Sequence, residues 1–477
     1  MRYLKTKIAP GICHTVYGKM SLCIGILLVS LHLSAQTHQR PNIILILTDD
    51  LGWSCFSSRM DDRVPDSKSD FFETPNIDHF AGQGMRFTRG YAPDPICTPS
   101  RRSIQFGQTS IRQGDETFPA QYAPASSFSQ AIPQLLKAYD PSYRTAHFGK
   151  WDLRARISPA QLGYDESDGD TGNKNGDISQ DRDEKWLQHY LTGNPKQMDS
   201  ITNRSIRFMK KEVMEKHPFY LQVSHYATHV NFETNEATYN DYVNKTPGKK
   251  HTNPAWAGMI HDLDASIGRL LAEVESLGIA NNTYIFLMAD NGAVEFIPPV
   301  HNRLAHPSTF DKPMRNYPLR GGKWTLYEGG IRVPFIVRGP GIQPGSQSDV
   351  PVAGWDLLPT ITALAGEKKM PETNLDGGSL VNVLHNQGKG KVIRASDDFF
   401  FHRYNKGYPH SAIIVGDYKL IKFWKTNTVE LYNLHDDIGE LHDLSNQEPG
   451  TVKELETKLL KYINAVNPSL ATRYVKK

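Results

Sequence analysis

Cysteine is scarce in this chain of 477 residues: there are four, and two of them, Cys13 and Cys23, fall in its opening stretch. With only Cys55 and Cys97 beyond it, a disulfide framework is excluded, and one Cys55–Cys97 bridge is the simplest structural use left for them. Charge of one sign is lacking as well. The formal net charge is +3, and loss of the opening stretch would take Arg2, Lys5, Lys7 and Lys19 with no acid, lowering it by four to −1. A nearly neutral chain argues against nucleic acid as a partner. The apolar run "SLCIGILLVSLHL" is too short for a stable membrane anchor, and no internal repeat or disordered, low-complexity block interrupts a chain that is 39% hydrophobic. One large core and a smaller one fit this length.

The opening stretch has the order of an export signal: a basic flank, a short apolar segment, then small residues, Ser34 and Ala35, before Gln36. Residues 1–35 are expected to be a signal peptide cut near Ala35, which would make the product periplasmic or secreted, with no stable membrane insertion.

"PNIILILTDD" is an apolar, β-branched run ending in two acids, the pattern of a buried parallel strand whose C-terminal end opens into a loop. "HPFYLQVSHYATH", "NTYIFLMADNG" and "VPFIVRGPG" repeat that grammar, each ending where the active site of an open α/β sheet would lie. "NPAWAGMIHDLDASIGRLLAEVESLG" places Trp256, Ile260, Leu263, Ile267, Leu270, Leu271 and Val274 at helical spacing, with Asn253 and Pro254 as start signals and Gly278 as stop. "WDLLPTITALAG" reads as a shorter helix. The polar stretches at about 165–200 and 231–254 read as surface insertions able to shape a pocket. After about residue 380 the pattern changes to short strands, "HSAIIVGDYKLIKFW" and "TVELYNL", and a terminal helix, "TVKELETKLLKYINAV". The expectation is an α/β domain over 36–380, with a large mixed, mostly parallel sheet between helices, and a smaller α+β subdomain over 381–477.

Asp49 and Asp50 end the first strand, and Asp290 and Asn291 end a later one. Four oxygen ligands at one sheet edge suit a hard cation, Ca²⁺ before Mg²⁺, rather than zinc. Either pair alone is more often a turn or a cap. A third element, Cys97-Thr98-Pro99-Ser100-Arg101, sits on a proline-rich turn before a helix-like run.

These five residues match C-x-P-x-R, the maturation signature of the formylglycine-dependent sulfatases of the alkaline phosphatase superfamily, which the sequence resembles. The resemblance extends through "PNIILILTDDLGW", "TPNIDHFAGQGMRFTRGYA", "TAHFGKW", "MADNG", "LRGGKWTLYEGGIRVPFIVRGPG" and "DLLPTITALAG", in the family's order. It implies an alkaline phosphatase-like fold and a sulfuric ester hydrolase whose nucleophile is a hydrated formylglycine (3-oxoalanine) made from Cys97 by a formylglycine-generating or anaerobic sulfatase-maturating enzyme. Asp49, Asp50, Asp290, Asn291 and residue 97 would hold one Ca²⁺. Arg101 would hold the diol, Lys150 and Lys323 would bind sulfate, and His229 would protonate the leaving alcohol, with His225 as the rival assignment. Where the family commonly reads "GKWHLG", this chain reads "GKWDLR". Asp152 thus replaces a histidine that assists the diol and the release of sulfate, and either it serves as the base, His147 substitutes, or turnover is impaired.

His301, Arg303, His306 and Arg315, with His402 and Arg403 in "FFFHRYNKGYPH", are basic and polar residues on expected loops; of these His301, Arg303, His402 and Arg403 are the candidate substrate contacts. They suit a sugar bearing sulfate or carboxylate groups, hence hydrolysis of a sulfated polysaccharide or its oligosaccharides. The signal's "LSAQ" ending resembles those of Bacteroidetes. The alternatives are a phosphomonoester or phosphonate hydrolase of the same superfamily and a non-catalytic glycan-binding relative that kept the fold.

Overall fold

The structure, a computed structural model, describes residues 40–114, 131–154, 157–176, 189–294, 315–367, 374–404 and 407–474. The expected signal peptide, residues 1–35, and His301, Arg303 and His306 lie outside the described residues.

An eight-stranded sheet organises the chain: β1 (Asn42–Thr48), β2 (Met85–Phe87), β3 (Arg144–Gly149), β4 (Glu166–Ser167), β5 (Phe219–Ser224), β6 (Thr283–Ala289), β7 (Phe335–Arg338) and β8 (Ser346–Ser348), in the order β8-β2-β7-β6-β1-β5-β3-β4. β1, β5 and β6 are buried at every position, as a strand covered on both faces requires, and β1 runs parallel to both neighbours. Their register brings the C-terminal ends of β1 and β6 together, Thr48 opposite Ala289, so the acids that follow emerge at one edge. The sheet is mixed and mostly parallel, as expected.

"VPFIVRGPG" departs from expectation. It forms β7, antiparallel to β6, with Phe335 opposite Met288 and Arg338 opposite Ile285. The glycine-rich end of this segment therefore lies away from the acids. Lys323 sits at the acidic edge and β7 begins at that same end, so the strand runs back from it, antiparallel to β6.

The long helix is as its periodicity predicts: α4, Pro254–Ser276, has Asn253 accepting from the amides of Ala255 and Trp256. All seven of its spaced apolar residues are buried, each worth about 1.5–3 kcal/mol of gross transfer energy. "DLLPTITALAG" gives α5, Leu357–Leu364. The segment 231–254 is less of a free insertion than its polarity suggests, since it contains the strand Phe232–Thr234 and the helix Glu236–Val243, both packed on α4.

A second sheet joins β9 (Phe399–Arg403), β10 (His410–Val415), β11 (Tyr418–Phe423) and β12 (Thr428–Asn433) in antiparallel order, followed by α6 (Pro449–Val466). Here another expectation is corrected: His402 and Arg403 are strand residues, not loop residues. His402 is fully buried with its Nδ1 2.7 Å from Ser411 Oγ, and Arg403 is buried beside it. The alternation of "FFFHR" puts Phe399 and Phe401 against one apolar cluster and Phe400 against another, which carries the polar residues inward with them.

Candidate active site

Helix α2, Cys97–Phe106, begins at the motif. Ile96 caps it in extended conformation without a side-chain bond, Pro99 occupies the first turn, and Gly107 ends it with φ +63. The first turn therefore presents backbone N–H groups that no cap consumes, at the positive end of the helix dipole. Every residue of α2 is buried, and Cys97 lies at its first position. Both Cys55 and Cys97 are free thiols, so the bridge between them is not formed.

Asp49, Asp50, Cys97 and Asp290 bring one ligand atom each to within 4.8 Å of one another, all buried. Cys97 Sγ lies 3.3 Å from Asp49 Oδ1 and 3.8 Å from Asp50 Oδ1. Asn291 donates to Asp50 Oδ1 at 2.7 Å, while its own Oδ1 is buried without a hydrogen-bond partner. An orphaned carbonyl oxygen among three carboxylates is a donor set of hard oxygens, and it fits a divalent cation of the Ca²⁺ or Mg²⁺ kind.

Cations close the cluster. Lys150 Nζ is 2.6 Å from Asp49, Lys323 Nζ is 2.7 Å from Asp50 and 3.4 Å from Cys97 Sγ, and Arg101 Nε is 2.7 Å from Asp290. Arg101 also donates to the carbonyl of Lys150 at 2.6 Å, which ties the helix to the end of β3. Burial opposes ionisation of Asp49, but Lys150, then His229, Arg101 and Lys323, hold its carboxyl far below the usual range. Asp290 goes the other way: burial, then the charges of Asp49 and Asp50, outweigh Arg101 and Lys150 and push it up to about 7. Burial, reinforced by Asp290 and Asp49, pushes the Cys97 thiol well up, so an unmodified Cys97 is a poor nucleophile here.

The rival histidines separate by position. His229 Nε2 is 3.9 Å from Asp50 Oδ2, with Nδ1 held 2.6 Å from the carbonyl of Val230. His225 is fully buried with neither ring nitrogen hydrogen-bonded, and burial lowers it to about 4. His147 is packed in β3 against Trp151 and Tyr164, its Nε2 is 3.0 Å from Ser224 Oγ, and burial lowers it to about 3. It is a core residue of the sheet. Asp152 itself has φ +50, is 5% exposed, and lies between Lys150 Nζ at 3.8 Å and Arg154 Nε at 3.3 Å.

The structure thus brings together Asp49, Asp50, Cys97, Arg101, Lys150, Asp152, His229, Asp290, Asn291 and Lys323, and sets His402 and Arg403 in the second sheet. It adds Thr228, whose amide donates to the carbonyl of Asp49 at 2.5 Å and whose hydroxyl donates to that of Asp50 at 2.9 Å. These bonds hold the acid pair from the loop that carries His229. Nothing in the local sequence marks Thr228 apart from its place next to that histidine.

A family model described as Sulfatase matches residues 41–367, and one described as N-sulphoglucosamine sulphohydrolase, C-terminal, matches residues 322–467. The chain is 28% identical to N-acetylgalactosamine-6-sulfatase of Rattus norvegicus over 447 residues, covering 88% of this chain and 78% of the relative. It is also 28% identical to a sulfatase of Formosa agariphila over 516 residues, covering 90% and 88%. Among solved structures, Ps i-CgsB in complex with k-i-k-neocarrahexaose is similar at TM-score 0.69 and 25% identity, covering 89% of this chain and 93% of that one. With a family model matched over more than half the chain, and a buried cysteine at a helix start ringed by carboxylates and cations, this chain belongs to the sulfatase family as a sulfuric ester hydrolase.

Proposed function

We propose that the chain is an exported enzyme that hydrolyses sulfate esters on a carbohydrate, a sulfated polysaccharide or its oligosaccharides, with formylglycine at position 97 and one Ca²⁺. The observation that carries this reading is the convergence of Cys97, three carboxylates, the orphaned Asn291 oxygen and three cations within one buried edge of the sheet. The sulfated sugars and glycans named among its relatives support the substrate class.

Asp49, Asp50, Asp290, Asn291 and residue 97 would hold the cation, which supplies charge neutralisation for the sulfate oxygens and lowers the pKa of a hydroxyl bound to it. A hydrated aldehyde at residue 97 would supply a hydroxyl nucleophile where burial pushes the native thiol's pKa well up.

The remaining work falls to the chain's own groups. A sulfate monoester repels nucleophiles, so its oxygens need preorganised positive charge. Lys150, Lys323 and the open N-terminus of α2 provide it in a dry site where it is worth more than in water. Arg101, fixed between Asp290 and the Lys150 carbonyl, holds the side chain of residue 97 in place. His229, with Nδ1 tied to a carbonyl, has Nε2 3.9 Å from Asp50 at the acidic edge, where it donates a proton to the leaving alkoxide. Asp152 accepts a proton at a carboxylate oxygen, and the flanking Lys150 and Arg154 offset the negative charge it adds beside an anionic substrate.

Incubation of the matured enzyme with sulfated oligosaccharides should release inorganic sulfate in a Ca²⁺-dependent way, read by ion chromatography. Release of phosphate from phosphomonoesters with no release of sulfate would support the phosphohydrolase reading instead. Tight glycan binding without any turnover would support the binding relative.

A further inference from the structure

The polar segment after β4 does more than decorate the surface. β4 pairs with β3 in parallel through Ala146–Glu166 and His147–Ser167, and the chain then runs on past the end of both strands. There its bonds to the segment that carries Lys150 continue in an unbroken ladder. The amide of Asp168 donates to the carbonyl of His147 at 3.2 Å, and Asp168 Oδ2 accepts from the amide of Gly149 at 2.7 Å. Thr171 Oγ1 donates to the carbonyl of Gly149 at 2.6 Å and accepts from the amide of Trp151 at 3.0 Å. Finally the carbonyl of Thr171 accepts from the amide of Asp152 at 2.8 Å.

Every peptide group flanking Lys150 is thus fixed from one side. From the other side, the amide of Lys150 donates to the carbonyl of Ser224 at 2.7 Å. Gly149 makes the close approach possible: with φ +99, a Cβ there would lie 1.9 Å from the Ser224 oxygen. The strap is itself anchored, since Arg204 on α3 (Met198–Met214) pairs with Asp168 at 2.7 Å. One hydroxyl gives one donor and two acceptor sites; the Gly149 carbonyl takes the donor and the Trp151 amide one of the acceptor sites.

We infer that Thr171 is a positioning residue: its side chain and carbonyl fix the backbone from Gly149 to Asp152 and so aim the Lys150 ammonium and the Asp152 carboxylate into the site. The inference rests on the roles proposed above for those two residues. Valine at 171 keeps the shape of threonine, removes the hydroxyl and leaves the Gly149 carbonyl and the Trp151 amide without their partner. Serine keeps the hydroxyl.

The test compares Thr171→Val and Thr171→Ser in the full-length enzyme on a small aryl sulfate, with rates normalised to the fraction of residue 97 matured, read by peptide mass. Thr171→Val should lower kcat by about tenfold to a hundredfold, the cost of sub-ångström misplacement of reacting groups, while Thr171→Ser should stay within about threefold of the parent. In a Lys150→Ala background, Thr171→Val should cost markedly less than it does alone, because the two act through one group. Parent-like rates for Thr171→Val, equal loss in the serine variant, or full additivity with Lys150→Ala would each overturn the assignment. An inactive but fully matured parent would instead count against the proposed activity.

Discussion

The cluster around Cys97 and the cluster around Lys419 bury acids and bases in comparable numbers but to different ends. Around Lys419 the charges close on one another: Lys419 Nζ is 2.8 Å from both Glu328 and Glu440, Arg332 Nε is 2.5 Å from Glu328, and the amide of Glu328 donates to Glu440 at 2.6 Å. All four residues are buried, and they join the turn that follows Lys323 to the second sheet. Around Cys97 the acids pair with cations, yet an oxygen of Asn291 is left over and a thiol sits in their midst. In the Lys419 cluster the one oxygen outside a hydrogen bond, Glu440 Oε1, is itself 2.8 Å from Lys419 Nζ, whereas the Asn291 oxygen has no hydrogen-bond partner, so the Cys97 cluster is the one open to a ligand. Burial of charge alone does not mark a catalytic site; here an unpartnered oxygen among the buried carboxylates and cations adds the distinction.

Substitution should break this contrast in two opposite ways. Cys97→Ala removes the nucleophile and should cut turnover by about a thousandfold or more with the melting temperature nearly unchanged. Lys419→Met leaves two buried glutamates without their shared cation and should cost about 3–5 kcal/mol of stability, read by denaturant titration, with the kcat/KM of the folded fraction retained. Activity loss without destabilisation at Lys419 would contradict the division of roles.

A divalent cation should sharpen it. Ca²⁺ at about a hundred times its Kd should stabilise the protein by about 2.7 kcal/mol through mass action, seen as a rise in melting temperature that chelator reverses. Asn291→Ala should shrink that rise, whereas Lys419→Met should leave it in place.

The smallest effect is a pH dependence of the closed cluster. Burial and the neighbouring Glu328 push Glu440 up to about 7, against Lys419, while Lys419 and Arg332 overcome burial to hold Glu328 down at about 2. The folded state therefore binds Glu440's proton more tightly than the unfolded chain, and that contribution is lost as pH rises from the ordinary glutamate range through about 7. Glu328 contributes in the opposite sense, with stability lost as pH falls from the ordinary range towards about 2. Glu440→Gln should flatten the decline between about pH 5 and 7 in a series of melting temperatures, and an unchanged slope would show that another group sets it.

How much of this was legible in the sequence follows from the range of the interactions. The acids at the ends of β1 and β6 could be read because a buried parallel strand has a local signature and its C-terminal end is where ligands bind. Cys97 and Arg101 were legible through a five-residue motif, and α4 through its periodicity. The direction of β7 was not, since an apolar run carries no mark of which neighbour it pairs with. His402 and Arg403 were misplaced because polar residues inside an aromatic strand look like loop residues until both faces of the sheet are known to be covered. Thr171 and Lys419 were invisible for a simpler reason. A threonine in a polar segment and a lysine in a short strand are ordinary surface residues until the fold brings Gly149 or Glu328 beside them.

An open cluster built around a modified residue 97 makes the mass of the peptide containing that residue the decisive measurement. On protein from a host with a maturation system, that peptide should be lighter by the change from cysteine to aldehyde. An unmodified thiol from such a host would contradict the formylglycine reading.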